Sequence, residues 1–137
     1  MIVVDTSAVV AILLSEPTAE ALLSRLGEEE FGDRVMSAAS FVEAGTVLAG
    51  RHADPDRAVA LLEAFLSASG ISVVPVDGAQ ARLALWARIR FGKGFGARAS
   101  LNFGDSFAYA LAKSLDAPLL FIGNDFTATD ITPALPD

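Results

Sequence analysis

A chain of 137 residues, 53% of them hydrophobic and 20% charged, is long enough for one sizeable core and too apolar to be disordered. Cysteine is absent and His52 is the one histidine, which removes disulfide frameworks, thiolate metal sites, cysteine nucleophiles and most histidine-based chemistry. The net charge of −7 discourages a nucleic-acid partner only until its distribution is seen: no acid lies between Asp77 and Asp105, and that interval holds Arg82, Arg88, Arg90, Lys93 and Arg98, half of the ten basic residues.

Ile2-Val3-Val4 reads as a short buried strand. Asp5-Thr6-Ser7 follows it as a helix start, and the apolar stretch Ala8 to Leu14 as a buried helix. Glu16-Pro17 ends that helix, and a second runs from about Thr18 to Leu26. Glu28-Glu29-Glu30 is a solvated connector. Val35-Met36-Ser37 is a second strand, and Phe41, Val42, Val47 and Leu48 give the next helical pattern. Asp54-Pro55-Asp56 opens a further helix that Gly70 stops. Ile71 to Val76 is the clearest strand, followed by a helix from about Ala79 to Phe91 and a glycine-broken loop, Gly92 to Gly96. Asp105 to Leu115 is helical, Leu119 to Ile122 is the last strand, and Gly123-Asn124-Asp125 turns out of it.

Strands alternating with helices predict an α/β fold over residues 1–137 as a single domain. A mostly parallel central sheet of four to five strands is expected, with helices on both faces. Neither a membrane span nor a secretory leader is expected, since Ala8 to Leu14 falls far short of the ~20 residues a spanning helix needs and no basic leader precedes it. The expected compartment is cytoplasmic.

In open parallel sheets, ligands bind at the carboxyl ends of the strands. Asp5 follows the first strand, Asp125 the last, Glu43 lies early in the helix leaving the second strand, and Asp105 opens the helix that returns to the final strand. Each has an ordinary structural explanation. Asp5 and Asp105 suit helix starts, Ser40 and Glu43 have capping-box spacing, and Asn124-Asp125 suits a turn. Their convergence changes the reading. Two carboxylates ~5 Å apart repel by roughly 3 kcal/mol at an effective dielectric of about 20, so four at one edge call for protons or a cation. Oxygen ligands without histidine or cysteine suit Mg2+ or Mn2+. Such a centre is suited to phosphodiester hydrolysis, with the basic interval holding the phosphate backbone. Taken alone, that interval reads first as a solvated helix face with a basic loop, ahead of a phosphate-binding surface.

The ordered segments Val3 to Ala8, Phe41-Val42-Glu43, Asn102 to Ala110 and Leu120 to Phe126, trailed by Thr129-Asp130-Ile131, resemble the motifs of PIN-domain ribonucleases, and specifically of VapC toxins. The resemblance spans nearly the whole chain. It implies a metal-dependent RNA endonuclease of a type II toxin–antitoxin pair, with Mg2+ or Mn2+ held by Asp5 and Asp105, and Glu43 and Asp125 completing the pocket. Thr6 and Ser7 either cap the helix or steady the Asp5 carboxylate. Asn124 serves the turn or the site, and Asp130 is a weaker candidate that helix capping explains equally well. The resemblance further implies RNA as substrate, a VapB-type antitoxin as partner, and a homodimer.

Other acid-rich α/β proteins fit less well. A phospho-acceptor receiver has an acidic pair after its first strand and a lysine after its last, where this chain has Asp5-Thr6 and Gly123-Asn124. A haloacid-dehalogenase-like phosphatase needs an aspartate where Ser7 stands, and Gly92-Lys93-Gly94 lacks P-loop spacing. A PIN-like RNA- or protein-binding module without turnover stays open as the alternative. His52 lies outside every motif and reads as a surface residue.

Overall fold

The computed structural model describes residues 1–96 and 101–136. In chain order the elements are β1 (Ile2–Val4), α1 (Thr6–Leu13), α2 (Ala19–Gly27), β2 (Arg34–Ser37), α3 (Ala38–Gly50), α4 (Pro55–Ala68), β3 (Ile71–Val74), α5 (Gly78–Phe91), α6 (Phe103–Leu115) and β4 (Leu119–Leu120). The four described strands form one parallel sheet in the order β3-β2-β1-β4. Strand β1 is apolar throughout, and Val35 and Met36 fill the middle of β2, because both faces of the sheet are covered.

Alternation along the strands divides the core in two. Ile2, Val4, Met36 and Leu120 pack with Val9 and Ile12 of α1, Leu22 and Leu26 of α2, Leu48 of α3 and Leu62 and Leu66 of α4. Val3, Val35 and Leu119 point the other way, onto Ala87 of α5 and onto Ala108, Tyr109 and Leu111 of α6. The second cluster also takes in Phe126 and Ile131 from the segment after β4. Successive strand side chains face opposite sides, so a three-residue strand such as β1 serves both cores.

Three local differences from the sequence reading have physical causes. Strand β3 ends at Val74, since Pro75 has no N–H to continue the ladder. Strand β4 ends at Leu120: the next donor along its edge, Ile122 N–H, goes to the Ser7 hydroxyl instead of to a strand. Helix α3 begins directly after β2, so its N-cap is Ser37, whose hydroxyl accepts the Ala39 N–H. Ser40 therefore lies inside the first turn, and the expected Ser40–Glu43 capping box does not form. That motif occurs at α6, where Asn102 and Asp105 satisfy each other's backbone N–H groups.

Candidate active site

Asp5 sits where β1 gives way to α1. Its backbone is extended (φ −80°, ψ 157°), and Oδ2 accepts the Ser7 N–H at 3.0 Å and the Ser7 hydroxyl at 2.6 Å. That is N-cap chemistry. The same Ser7 oxygen accepts the Ile122 N–H at 3.1 Å, coupling Asp5 to the chain that leaves β4. Asp5 Oδ1 is different: it is buried and has no hydrogen-bond partner among the described residues. An unpaired buried acceptor costs about 1–3 kcal/mol, and more when charged, so capping alone does not explain this side chain. Thr6 sits beside it and donates its hydroxyl to the Ser40 carbonyl at 3.0 Å, binding α1 to α3.

Asp105 is the third residue of α6. Its Oδ2 closes the capping box by accepting the Asn102 N–H at 3.0 Å, while Oδ1 takes no part in the cap. Glu43 reaches from α3 toward the start of α6 and lies over Gly104. A Cβ placed at Gly104 would stand 2.6 Å from the Glu43 carboxyl carbon, so only glycine permits this approach. Asp125 is exposed at the rim, on the segment after β4. The four acids line a single cleft of about 240 Å³, floored by Thr6 and Ser7 and walled by Val10, Val47, Ile122 and Phe126.

The electrostatics follow from this crowding. Burial pushes the Asp5 carboxyl up to about 6, against the Ser7 hydrogen bonds that favour its charge, and the Glu43 carboxylate adds to the rise. Asp105 is raised to about 7, first by burial, against the Asn102 N–H, and then by the charges of Asp5, Asp125 and Glu43. Protons thus linger here near neutral pH, and a cation would relieve the same repulsion. The donors are all oxygen, matching a hard divalent ion. Among the described residues, no three acidic or histidine side chains stand already arranged to enclose one.

The remaining predicted residues are placed as follows. Asn124 is exposed and does not line the cleft; its carbonyl accepts the Thr127 N–H and hydroxyl, which is turn chemistry. Asp130 caps no helix. It accepts the Tyr109 hydroxyl and the Lys113 ammonium. Arg88 donates to the Leu101 carbonyl and so ties the end of α5 to the approach to α6. The Arg90 guanidinium lies 5.4 Å from the Trp86 ring centre, and Arg82 lines a separate hollow with Tyr109 and Lys113. Lys93 is exposed in the loop after α5, and none of these four basic residues lines the acidic cleft. Arg98 lies outside the described residues. His52 is exposed, its Nδ1 accepting the Asp54 N–H at 2.9 Å.

Sequence reasoning passed over Gly104, Val10 and Val47. The two valines had a readable signal, each standing four residues after a cleft residue (Thr6 and Glu43) and hence on the same helical face.

Comparison with known proteins places this geometry. The PIN domain family model matches residues 2–131. A Ribonuclease VapC of Mycolicibacterium smegmatis is 43% identical over 129 residues, covering 94% of this chain and 96% of that protein. Among solved structures, Mycobacterium tuberculosis VapC20, described as a sarcin–ricin loop cleaving toxin, superposes with a TM-score of 0.76 at 19% identity, covering 99% of this chain and 100% of that one. A toxin–antitoxin complex from Klebsiella pneumoniae gives a TM-score of 0.68 at 14% identity, covering 95% of this chain and 93% of its own. The matched span takes in residues 5, 43, 105 and 125, and the chain belongs to the PIN-domain family, among the VapC ribonucleases.

Proposed function

We propose that this chain is a Mg2+- or Mn2+-dependent endoribonuclease, the toxin of a type II toxin–antitoxin pair, acting in the cytoplasm. The observation that carries the reading is the buried, unpartnered Asp5 Oδ1 facing a cleft that Glu43, Asp105 and Asp125 share. Asp5 and Asp105 would hold the ion directly, with Glu43 and Asp125 completing the set directly or through ordered water. Closing the set needs inward rotation of Glu43 and Asp125, the two less buried acids. When bound, the ion would lower the pKa of a water and offset charge building on the phosphodiester.

The chain's own groups do the rest. Ser7 fixes the Asp5 carboxylate by two hydrogen bonds and leaves Oδ1 free. Asn102 fixes Asp105 by Oδ2 in the same way, so both ligands are oriented before any ion arrives. Glu43 and Asp125, at the open side, are the carboxylates assigned to accept a proton from water. Val10, Val47 and Phe126 keep the walls dry, which strengthens charge interactions inside. Lys93 and Arg90, from the basic interval, are the cations assigned to the RNA backbone.

A VapB-type antitoxin is the proposed partner, and a cationic segment would complement the acidic cleft. A homodimer is proposed as well: Val42, Leu85, Ile89 and Phe103 are large apolar side chains left exposed on α3, α5 and α6. None of the helices among the described residues is long and apolar enough to cross a membrane.

Incubation of the purified protein with total RNA tests the reading. Cleavage with defined ends is expected in Mg2+ or Mn2+, abolished by EDTA and restored by excess ion. RNA bound but never cut under either ion would favour the non-hydrolytic module.

Gly104→Ala makes a sharper local test. Alanine is as good as or better than glycine in the first turn of α6, so the urea midpoint should stay or rise slightly. The new methyl must displace the Glu43 carboxylate, and cleavage should fall about tenfold or more. Unchanged turnover would show that Glu43 need not lie where it does.

A further inference from the structure

We propose that Tyr109 and Lys113 position Asp125 for ion binding by anchoring Asp130. The inference rests on the acidic cleft being the metal site. Asp125 belongs to a segment without regular structure, residues 121–131, and is exposed, so nothing in its immediate backbone fixes its carboxylate. Helix α6 supplies the fixation. The Tyr109 hydroxyl donates to Asp130 Oδ1 at 2.6 Å, and the Lys113 ammonium donates to Oδ2 at 3.0 Å. Asp105, Tyr109 and Lys113 stand at four-residue intervals and so share one face of α6. One helix face therefore holds the first cleft acid outright and grips the segment bearing another.

The anchor is transmitted over a short, stiff path. Between Asp130 and Asp125, the Thr129 hydroxyl donates to the Phe126 carbonyl at 2.7 Å and accepts the Ile131 N–H at 3.2 Å. Phe126 itself is buried beside Phe121, ring centres 5.0 Å apart, and forms part of the cleft wall. Tyr109 is buried, so its hydroxyl must find an acceptor, and the ring is set independently by Phe91 at 5.8 Å and Trp86 at 6.4 Å. Tyr109→Phe thus removes the anchor while keeping the packing. Asp130 takes no part in a helix cap, and its two donors lie 21 and 17 residues away.

Titration calorimetry with Mn2+ alone, on wild type, Tyr109→Phe, Asp125→Asn and the double variant, tests the proposal. Tyr109→Phe should weaken Mn2+ binding about 3- to 10-fold, within or below the range of outer partners of metal ligands. Its RNA cleavage should return toward the wild-type rate at saturating Mn2+. In the double variant the Tyr109→Phe loss should vanish, because the residue it acts through no longer ligates. Wild-type affinity in Tyr109→Phe, or full additivity in the double variant, would overturn the positioning role alone. Absence of Mn2+ binding by wild type would overturn the cleft reading and this inference with it.

Discussion

Asp105→Asn is expected to lower RNA cleavage by about a hundred- to a thousandfold or more while making the ion-free protein more stable. The loss follows from removing a charge that would hold the ion and offset its repulsive neighbours, in a site whose charge stabilisation carries catalysis. The gain follows from the same neighbours. Burial and the charges of Asp5, Asp125 and Glu43 push Asp105 up to about 7, so its ionised form burdens the empty fold. Asparagine keeps an oxygen for the Asn102 N–H and therefore keeps the cap. A gain of about 1–2 kcal/mol, or roughly 3–8 °C in Tm, is expected near pH 7.5. Asp105→Ala keeps the Asn102 cap on the residue-105 N–H but loses the acceptor for the Asn102 N–H, and forfeits about 1 kcal/mol of that gain. Calorimetric scans of the two variants beside wild type, paired with an RNA cleavage assay, read both effects. If asparagine leaves Tm at or below the wild-type value, the carboxylates do not repel as described.

The second large effect is a pH dependence opposite to that of most carboxylate-bearing folds. In the folded chain Asp5 titrates at about 6 and Asp105 at about 7, both above the ordinary 3.8. Between roughly pH 4 and pH 7 the folded state therefore binds more protons than the unfolded chain. Stability from these groups is whole below pH 4, is lost as pH rises through 6 and 7, and is gone above about pH 8. Asp5 alone accounts for about 3 kcal/mol at most. Added Mg2+ should reverse the trend, since the ion takes the place of the departing protons. At a hundred times its dissociation constant it adds about 2.7 kcal/mol, and more of that effect should be seen at pH 8 than at pH 5.5. Urea titrations across pH 5–8, with EDTA and with Mg2+, give the two curves. A flat ion-free curve would contradict the burial and crowding assigned to Asp5 and Asp105.

The frame of the molecule was readable from residues 1–137 because local signals agreed with one another. Ile2-Val3-Val4 before Asp5 and Asp54-Pro55 before α4 each carry strand or cap chemistry within a few residues, whereas the sequence pattern starts α6 at Asp105 and its cap is Asn102. Convergence of Asp5, Glu43, Asp105 and Asp125 followed from a parallel sheet, whose strand ends share an edge. What escaped was non-local. Ser-x-x-Glu at Ser40–Glu43 has the spacing of a capping box, yet β2 runs without a break into α3 and moves the cap back to Ser37. Nothing near Ile122 announces that its N–H will leave the sheet for Ser7, 115 residues away. Asp130 likewise gave no sign of Tyr109. The charge of Arg88 was plain in the sequence, but its bond to the Leu101 carbonyl, 13 residues on, was not.

Strand β4 lies beside β1, at the opposite end of the chain, and the Ser7 hydroxyl is shared between Asp5 and the residue following β4. A nascent chain emerging from the ribosome thus carries Asp5 and Glu43 long before it has the strand that completes the first cap or the loop that bears Asp125. Until that last stretch is released, the acidic cleft has no fourth wall. The four acids proposed to cut RNA come together only once β4 has been made and has paired with β1.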